Sequence, residues 1–245
     1  MQESTDATRL GRNRTGLQAS PRQAESMTDN VEAVTPESAE SSPLNHVRLD
    51  YIRDADPLGS VPPPATAKGM LKSGAEMVTG DRPQAFVDKL AERLAFERGG
   101  TRLYDAVIAK FIAHEGELDG VTVEDVAQIR EEEAQHAALL RVCMEQLGAD
   151  PTAQTPAADL VGVESAGLLQ AASDPRTTLA QTLHATLAAE LIDGAGWESL
   201  IAMAESMGQD AMAERFRNAL DQEHEHVAKV RGWYDQLTMQ TARLM

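Results

Sequence analysis

From Asp81 onward, apolar side chains recur every three or four residues, the spacing that lines one face of an α-helix. Phe86, Leu90, Leu94, Val107 and Phe111 form the first stripe, and Val126, Ile129, Leu139, Leu140 and Met144 the second. Start and stop signals divide the pattern into four long helices. Asp81 can cap the first, with Pro83 in its first turn. Gly99-Gly100 interrupts that helix as a close approach of another helix, a local bulge, or a break that splits it in two. Thr122, with Asp125 three residues on, starts the second helix, and Gly148 stops it. Asp174-Pro175 opens the third, which runs to about Met207; the fourth follows Gly208 and continues to Arg243. No proline occurs after Pro175, as two uninterrupted helices require. Residues 149–174 hold a short apolar stretch, Leu160 to Leu169, and are far longer than a tight turn needs. The pattern therefore predicts an all-α bundle over residues 81–243, two helical hairpins joined by a long crossover.

Residues 1–65 show almost no such periodicity and are rich in Ser, Thr, Asp, Glu, Gln and Arg, so they read as a disordered or extended tail ending in Pro62-Pro63-Pro64. Residues 66–80 form a weakly apolar connector. A net charge of −17 argues against nucleic acid as a partner, because phosphates would be repelled. Cys143 is the single cysteine, so neither an internal disulfide nor a Cys-rich zinc or iron–sulfur site can be built. No apolar run is long enough to span a membrane and no apolar signal core opens the chain, so a cytoplasmic protein is expected.

The polar residues that interrupt the apolar stripes carry the chemistry. Glu133/His136 and Glu223/His226 repeat the pattern Glu-x-x-His, and on a helix such a pair can hold one ion together. Glu97 precedes Glu133 by 36 positions and Glu190 precedes Glu223 by 33. All four glutamates sit on apolar faces, for example between Leu183, Leu187 and Trp197 for Glu190 and between Phe216, Leu220 and Val230 for Glu223. Carboxylate and imidazole donors suit iron, manganese and related divalent ions, and four glutamates nearly balance two of them. Glu132, at i−4 from His136, is an alternative to Glu133, which better repeats the other pair. Asp193, one turn after Glu190, is a possible ligand or outer acid, with a structural role the first reading. Tyr104 reads first as core packing and second as a neighbour that hydrogen-bonds a ligand carboxylate. His224 and Glu225 point away, His114 and His184 lack a matching acid, His46 lies in the tail, and Trp197 and Trp233 read as packing.

At Glu97, Glu133/His136, Glu190 and Glu223/His226 the chain resembles the ferritin-like di-iron carboxylate superfamily, and its rubrerythrin-like branch in particular. The resemblance implies a ferritin-like four-helix bundle binding two iron ions, with manganese as the alternative. It implies bridging roles for Glu133 and Glu223, carboxylate ligation by Glu97 and Glu190 from the two unpaired helices, and terminal nitrogen ligation by His136 and His226. It further implies a homo-oligomer with reaction toward O2 or hydrogen peroxide, of ferroxidase or peroxidase type. Rubrerythrins proper carry a Cys-x-x-Cys module, which one cysteine cannot supply, so an electron donor would be a separate protein. The alternatives are a non-catalytic helical bundle acting in stress or interaction, a manganese catalase-like enzyme, and a di-metal oxygenase.

Overall fold

Four helices of 31, 25, 28 and 34 residues carry the fold. The structure, a computed structural model, describes residues 43–64 and 83–243 together with Arg22, Glu25, Ser26 and Asp29. The connector at 66–80, the cap at Asp81 and most of the expected tail lie outside the described residues. The helices are α1 (Pro43–Asp54), α2 (Pro83–Ala113), α3 (Val123–Leu147), α4 (Pro156–Ser173), α5 (Leu179–Ser206) and α6 (Asp210–Arg243), and no strand occurs among the described residues.

Helix α1 lies within the stretch read from the sequence as a disordered or extended tail. It falls in a different unit of the chain from the four long helices. Leu44, Val47 and Tyr51 recur at i, i+3 and i+7, and Arg48 donates to Asn45. None of its residues is buried.

Local signals explain most boundaries of the remaining helices. Thr122 accepts from the Asp125 amide while the Asp125 carboxylate accepts from the Thr122 amide, closing the capping box at the head of α3. Gly148 ends α3 in the left-handed region (φ +80°), and the Ala149 amide reaches back to the Met144 carbonyl. The expected start at Asp174-Pro175 is displaced: Thr178 caps α5 with Gln181, while Asp174 closes α4 and accepts from the Arg176 amide. The crossover is itself a helix, α4, capped by Thr155 with Pro156 in its first turn.

The long helices pair as α2 with α3 and α5 with α6, and α4 packs on α2 and α5. Two apolar layers form the core. Phe86, Leu90, Leu94, Leu140, Met144, Trp197, Leu200 and Phe216 make one; Leu103, Val107, Phe111, Val126, Ile129, Leu183, Val230 and Trp233 make the other. Chain order through the layers sets direction. Helices α2 and α6 run from the first layer to the second, whereas α3 and α5 run the opposite way. A chain leaving α3 must therefore travel the bundle's length before α5 begins, and α4 makes that journey. Asp88 of α2 accepts from the Ala157 amide at its start, and Lys110, on the same helix, donates to the Asp174 and Thr177 carbonyls at its end.

Candidate metal centre

Between the apolar layers lies a charged one. Glu97 (α2), Glu133 and His136 (α3), Glu190 (α5), and Glu223 and His226 (α6) are each at most 2% exposed. They divide into two groups whose potential ligand atoms lie within 4.8 Å of one another: Glu97, Glu133, His136 and Glu223, and Glu133, Glu190, Glu223 and His226. Glu133 and Glu223 belong to both. The folded chain thus gathers all six residues singled out in the sequence.

Both imidazoles turn Nδ1 toward the centre. His136 Nδ1 is 2.7 Å from Glu223 Oε1 and 3.6 Å from Glu97 Oε2. His226 Nδ1 is 3.2 Å from Glu223 Oε2, 3.5 Å from Glu133 and 3.7 Å from Glu190. The outer nitrogens are anchored crosswise: His226 Nε2 meets Glu132 Oε2 at 2.8 Å, and His136 Nε2 meets Gln222 Oε1 at 3.0 Å. Glu132 therefore faces the histidine of the opposite motif and belongs to neither group; its other oxygen accepts from Gln128.

Two glycines clear space around this layer. A methyl group at Gly100 would stand 2.2 Å from Glu133 Oε2, so the helix runs through the Gly pair unbroken and Gly100 is a close approach. At Gly196 the same group would meet the Arg93 guanidinium at 2.4 Å.

Arg93, 1% exposed, escaped the sequence reading although it lies at i−4 from Glu97. It donates to Asp193 Oδ1 at 2.5 Å and stacks over Phe96 at 4.4 Å. Asp193 is accordingly buried beside the cluster, outside both groups, and held by this cation. Tyr104 does more than pack: its hydroxyl donates to Glu190 Oε1 at 2.5 Å. Trp197 packs edge-on against His136, centroids 5.6 Å apart. His114 has a partner after all, Glu117 at 2.8 Å, and belongs to neither group. His184 lies beside Tyr234, and His224 and Glu225 are exposed.

Burial of so many acids has a large electrostatic consequence. Burial, with Asp193 and Glu223 nearby, pushes the Glu97 carboxyl up to about 8. Burial, with Glu97 and Glu223, does the same to Glu133, also to about 8. Glu190 is raised well above its ordinary range by burial and by Glu133 and Glu223. Burial resists ionisation of Glu223 too, but hydrogen bonds from His136 and His226 prevail and hold it at about 2. The imidazoles gain in return: against the cost of burial, their carboxylate partners raise His136 to about 12 and His226 to about 11.

Protons thus balance the charge where ions could do so. The residues fit a metal pair on a second count: Glu97 Oε1 and Oε2, Glu133 Oε2 and Glu190 Oε2 are buried without a hydrogen-bond partner, and inward carboxylate atoms of this kind are what coordination would satisfy. The cluster can therefore hold metal ions. No described helix is long and apolar enough to cross a membrane. Residues 84–243 match the protein family described as Domain of unknown function (DUF892). No curated protein and no solved structure matches the chain.

Proposed function

We propose that this chain, which belongs to the DUF892 family, is a ferritin-like di-iron carboxylate oxidoreductase of ferroxidase or peroxidase type, acting on O2 or hydrogen peroxide. The observation that carries this reading is the pair of buried four-residue groups sharing Glu133 and Glu223. Four ionised glutamates offset two divalent cations, and mixed carboxylate–imidazole donors suit iron, with manganese as the alternative.

In this reading Glu133 and Glu223, common to both groups, would be shared by the two ions, Glu97 and Glu190 would supply one further carboxylate each, and the His136 and His226 Nδ1 atoms would complete the two positions. When bound, the metals supply the redox capacity and the Lewis acidity that activates a small oxidant. The chain holds the donors in register, and the apolar layers on either side exclude bulk water. Tyr104 fixes the orientation of Glu190 through its hydroxyl. Near-complete burial favours an oxidant of two heavy atoms over a bulky organic substrate. With Cys143 as the single cysteine, any reductase partner is a separate protein, or turnover is self-contained.

The test is elemental analysis after expression with added iron, then anaerobic Fe(II) titration of metal-free protein followed by O2 or peroxide. Two irons per chain and a new near-ultraviolet absorption, both lost in Glu133→Ala, are the expected result. Two manganese ions would move the assignment to catalase-like chemistry. Substoichiometric metal with no spectral response would leave a non-catalytic bundle and end the enzyme reading.

A further inference from the structure

We propose that the two metal positions are unequal and fill in order, the Glu190–His226 position before the Glu97–His136 position, because Glu132 and Gln222 hold the two histidines differently. The inference rests on the two-metal reading above and adds positioning residues to it.

The anchoring is reciprocal in geometry and unequal in chemistry. Glu132 stands immediately before Glu133, and Gln222 immediately before Glu223. Each reaches the outer nitrogen of the histidine in the other motif, at 2.8 Å for Glu132 to His226 and 3.0 Å for Gln222 to His136. With Nδ1 turned inward, both rings donate Nε2–H outward. A carboxylate acceptor raises the basicity of the ring it holds and orients it; an amide oxygen does so more weakly. Gln128 fixes the other Glu132 oxygen at 2.9 Å, so the carboxylate is aimed and not loose.

Net charge points the same way. Glu132 adds a negative group behind the His226 position, whereas a neutral amide lies behind His136. Arg93, buried one helical turn before Glu97, is matched by Asp193 at 2.5 Å and by Glu92 at 3.2 Å, so it leaves no net cation on the His136 side and the difference between the positions rests on Glu132 against Gln222. One contact opposes the trend: Tyr104 donates to Glu190 and so draws electron density from a donor of the His226 position. A neutral hydroxyl perturbs less than a full charge, so the order stands.

The experiment titrates full-length, metal-free protein with Co(II), which needs no oxidant, and locates the first ion by anomalous diffraction at one equivalent. Wild-type chain is expected to bind in two steps about 10–100-fold apart, the scale on which such outer partners act, with the first ion beside His226. Glu132→Gln should weaken the tight step and merge the two. Gln222→Glu should tighten the weak step. The double exchange, Glu132→Gln with Gln222→Glu, should move the first ion to His136, a reversal that a merely structural role would not produce. Thermal melts of the metal-free variants check that each folds. Two equal steps in wild type, a first ion beside His136, or an order unmoved by the double exchange would overturn the inference. Absence of Co(II) binding in wild type would overturn the two-metal reading with it, a result distinct from two equal sites.

Discussion

The two hairpins present the same ligand skeleton in different surroundings. Glu133 of α3 and Glu223 of α6 occupy matched places, yet one carboxyl is pushed up to about 8 and the other held at about 2. Contact explains the divergence: Glu223 lies within 2.7 Å and 3.2 Å of the two imidazoles, while Glu133 meets one of them at 3.5 Å. Three residues beyond the partner glutamates, the first hairpin has Gly100 and the second has Asp193; seven beyond, the first has Tyr104 and the second Trp197. Gly100 admits the Glu133 carboxylate, whereas Asp193 demands Arg93, which in turn demands Gly196. A repeated spacing therefore specifies a cluster's outline, and its charge state is set by neighbours that do not repeat.

The largest expected effect comes from breaking what the halves share. Glu223→Ala or Glu133→Ala removes a residue common to both groups and should abolish stoichiometric metal binding. Glu97→Ala should leave one ion; elemental analysis distinguishes the two outcomes. Removing Arg93 strikes the asymmetry itself. Arg93→Leu leaves Asp193 buried without its cation and should cost about 3–5 kcal/mol in denaturant unfolding. Adding Asp193→Asn should recover much of that loss, because the stranded charge is then gone.

The glycine pair gives a sharper contrast. Gly100→Ala drives a methyl group against the Glu133 carboxylate and should weaken metal binding at both positions. At neighbouring Gly99 a methyl group meets only Ser165 Oγ, at 3.8 Å. Gly99→Ala should therefore bind metal normally and gain about 1 kcal/mol from helix propensity. Equal metal affinities in the two variants would remove the role given to Gly100.

The pH dependence is smaller but has a definite sign. Glu97 and Glu133 titrate near 8 in the folded chain, above their ordinary range, so the stability they contribute is present in mild acid and lost as pH rises through 8. His136 and His226 are raised likewise, and lose their contribution at higher pH still. Glu223 acts oppositely, its contribution vanishing only as pH falls toward 2. The Tm of metal-free protein should thus decline between pH 5 and 9. The increment in Tm from added metal should grow over that interval, since the ligands must shed protons to bind. A metal increment independent of pH would contradict the protonated cluster. The smallest effect is Tyr104→Phe, which removes one hydrogen bond to Glu190 and should cost about 1 kcal/mol in the metal-free state.

Much of the helical scaffold could be read from the chain because its signals are local. Thr122, Asp125 and Gly148 bound α3 through contacts within a few residues, and the six Glu/His positions stand out as acids and imidazoles on apolar stripes. Where two local signals competed the reading failed: Asp174-Pro175 resembles a helix start, but Thr178 with Gln181 closes a full capping box. The crossover helix α4 carried its own Thr155-Pro156 start, and its composition alone did not separate it from a loop.

What the sequence determined by itself is the helical pattern and the kind of donor on each inward face, since both depend on spacing along one helix. What only tertiary structure decided is partnership between helices. Arg93 finds Asp193 one hundred positions away, Glu132 finds His226 and not His136, and Tyr104 finds Glu190 across the bundle. Those pairings arise because each has at least one buried member with no water to turn to, so packing selects the partner that one-dimensional spacing cannot name.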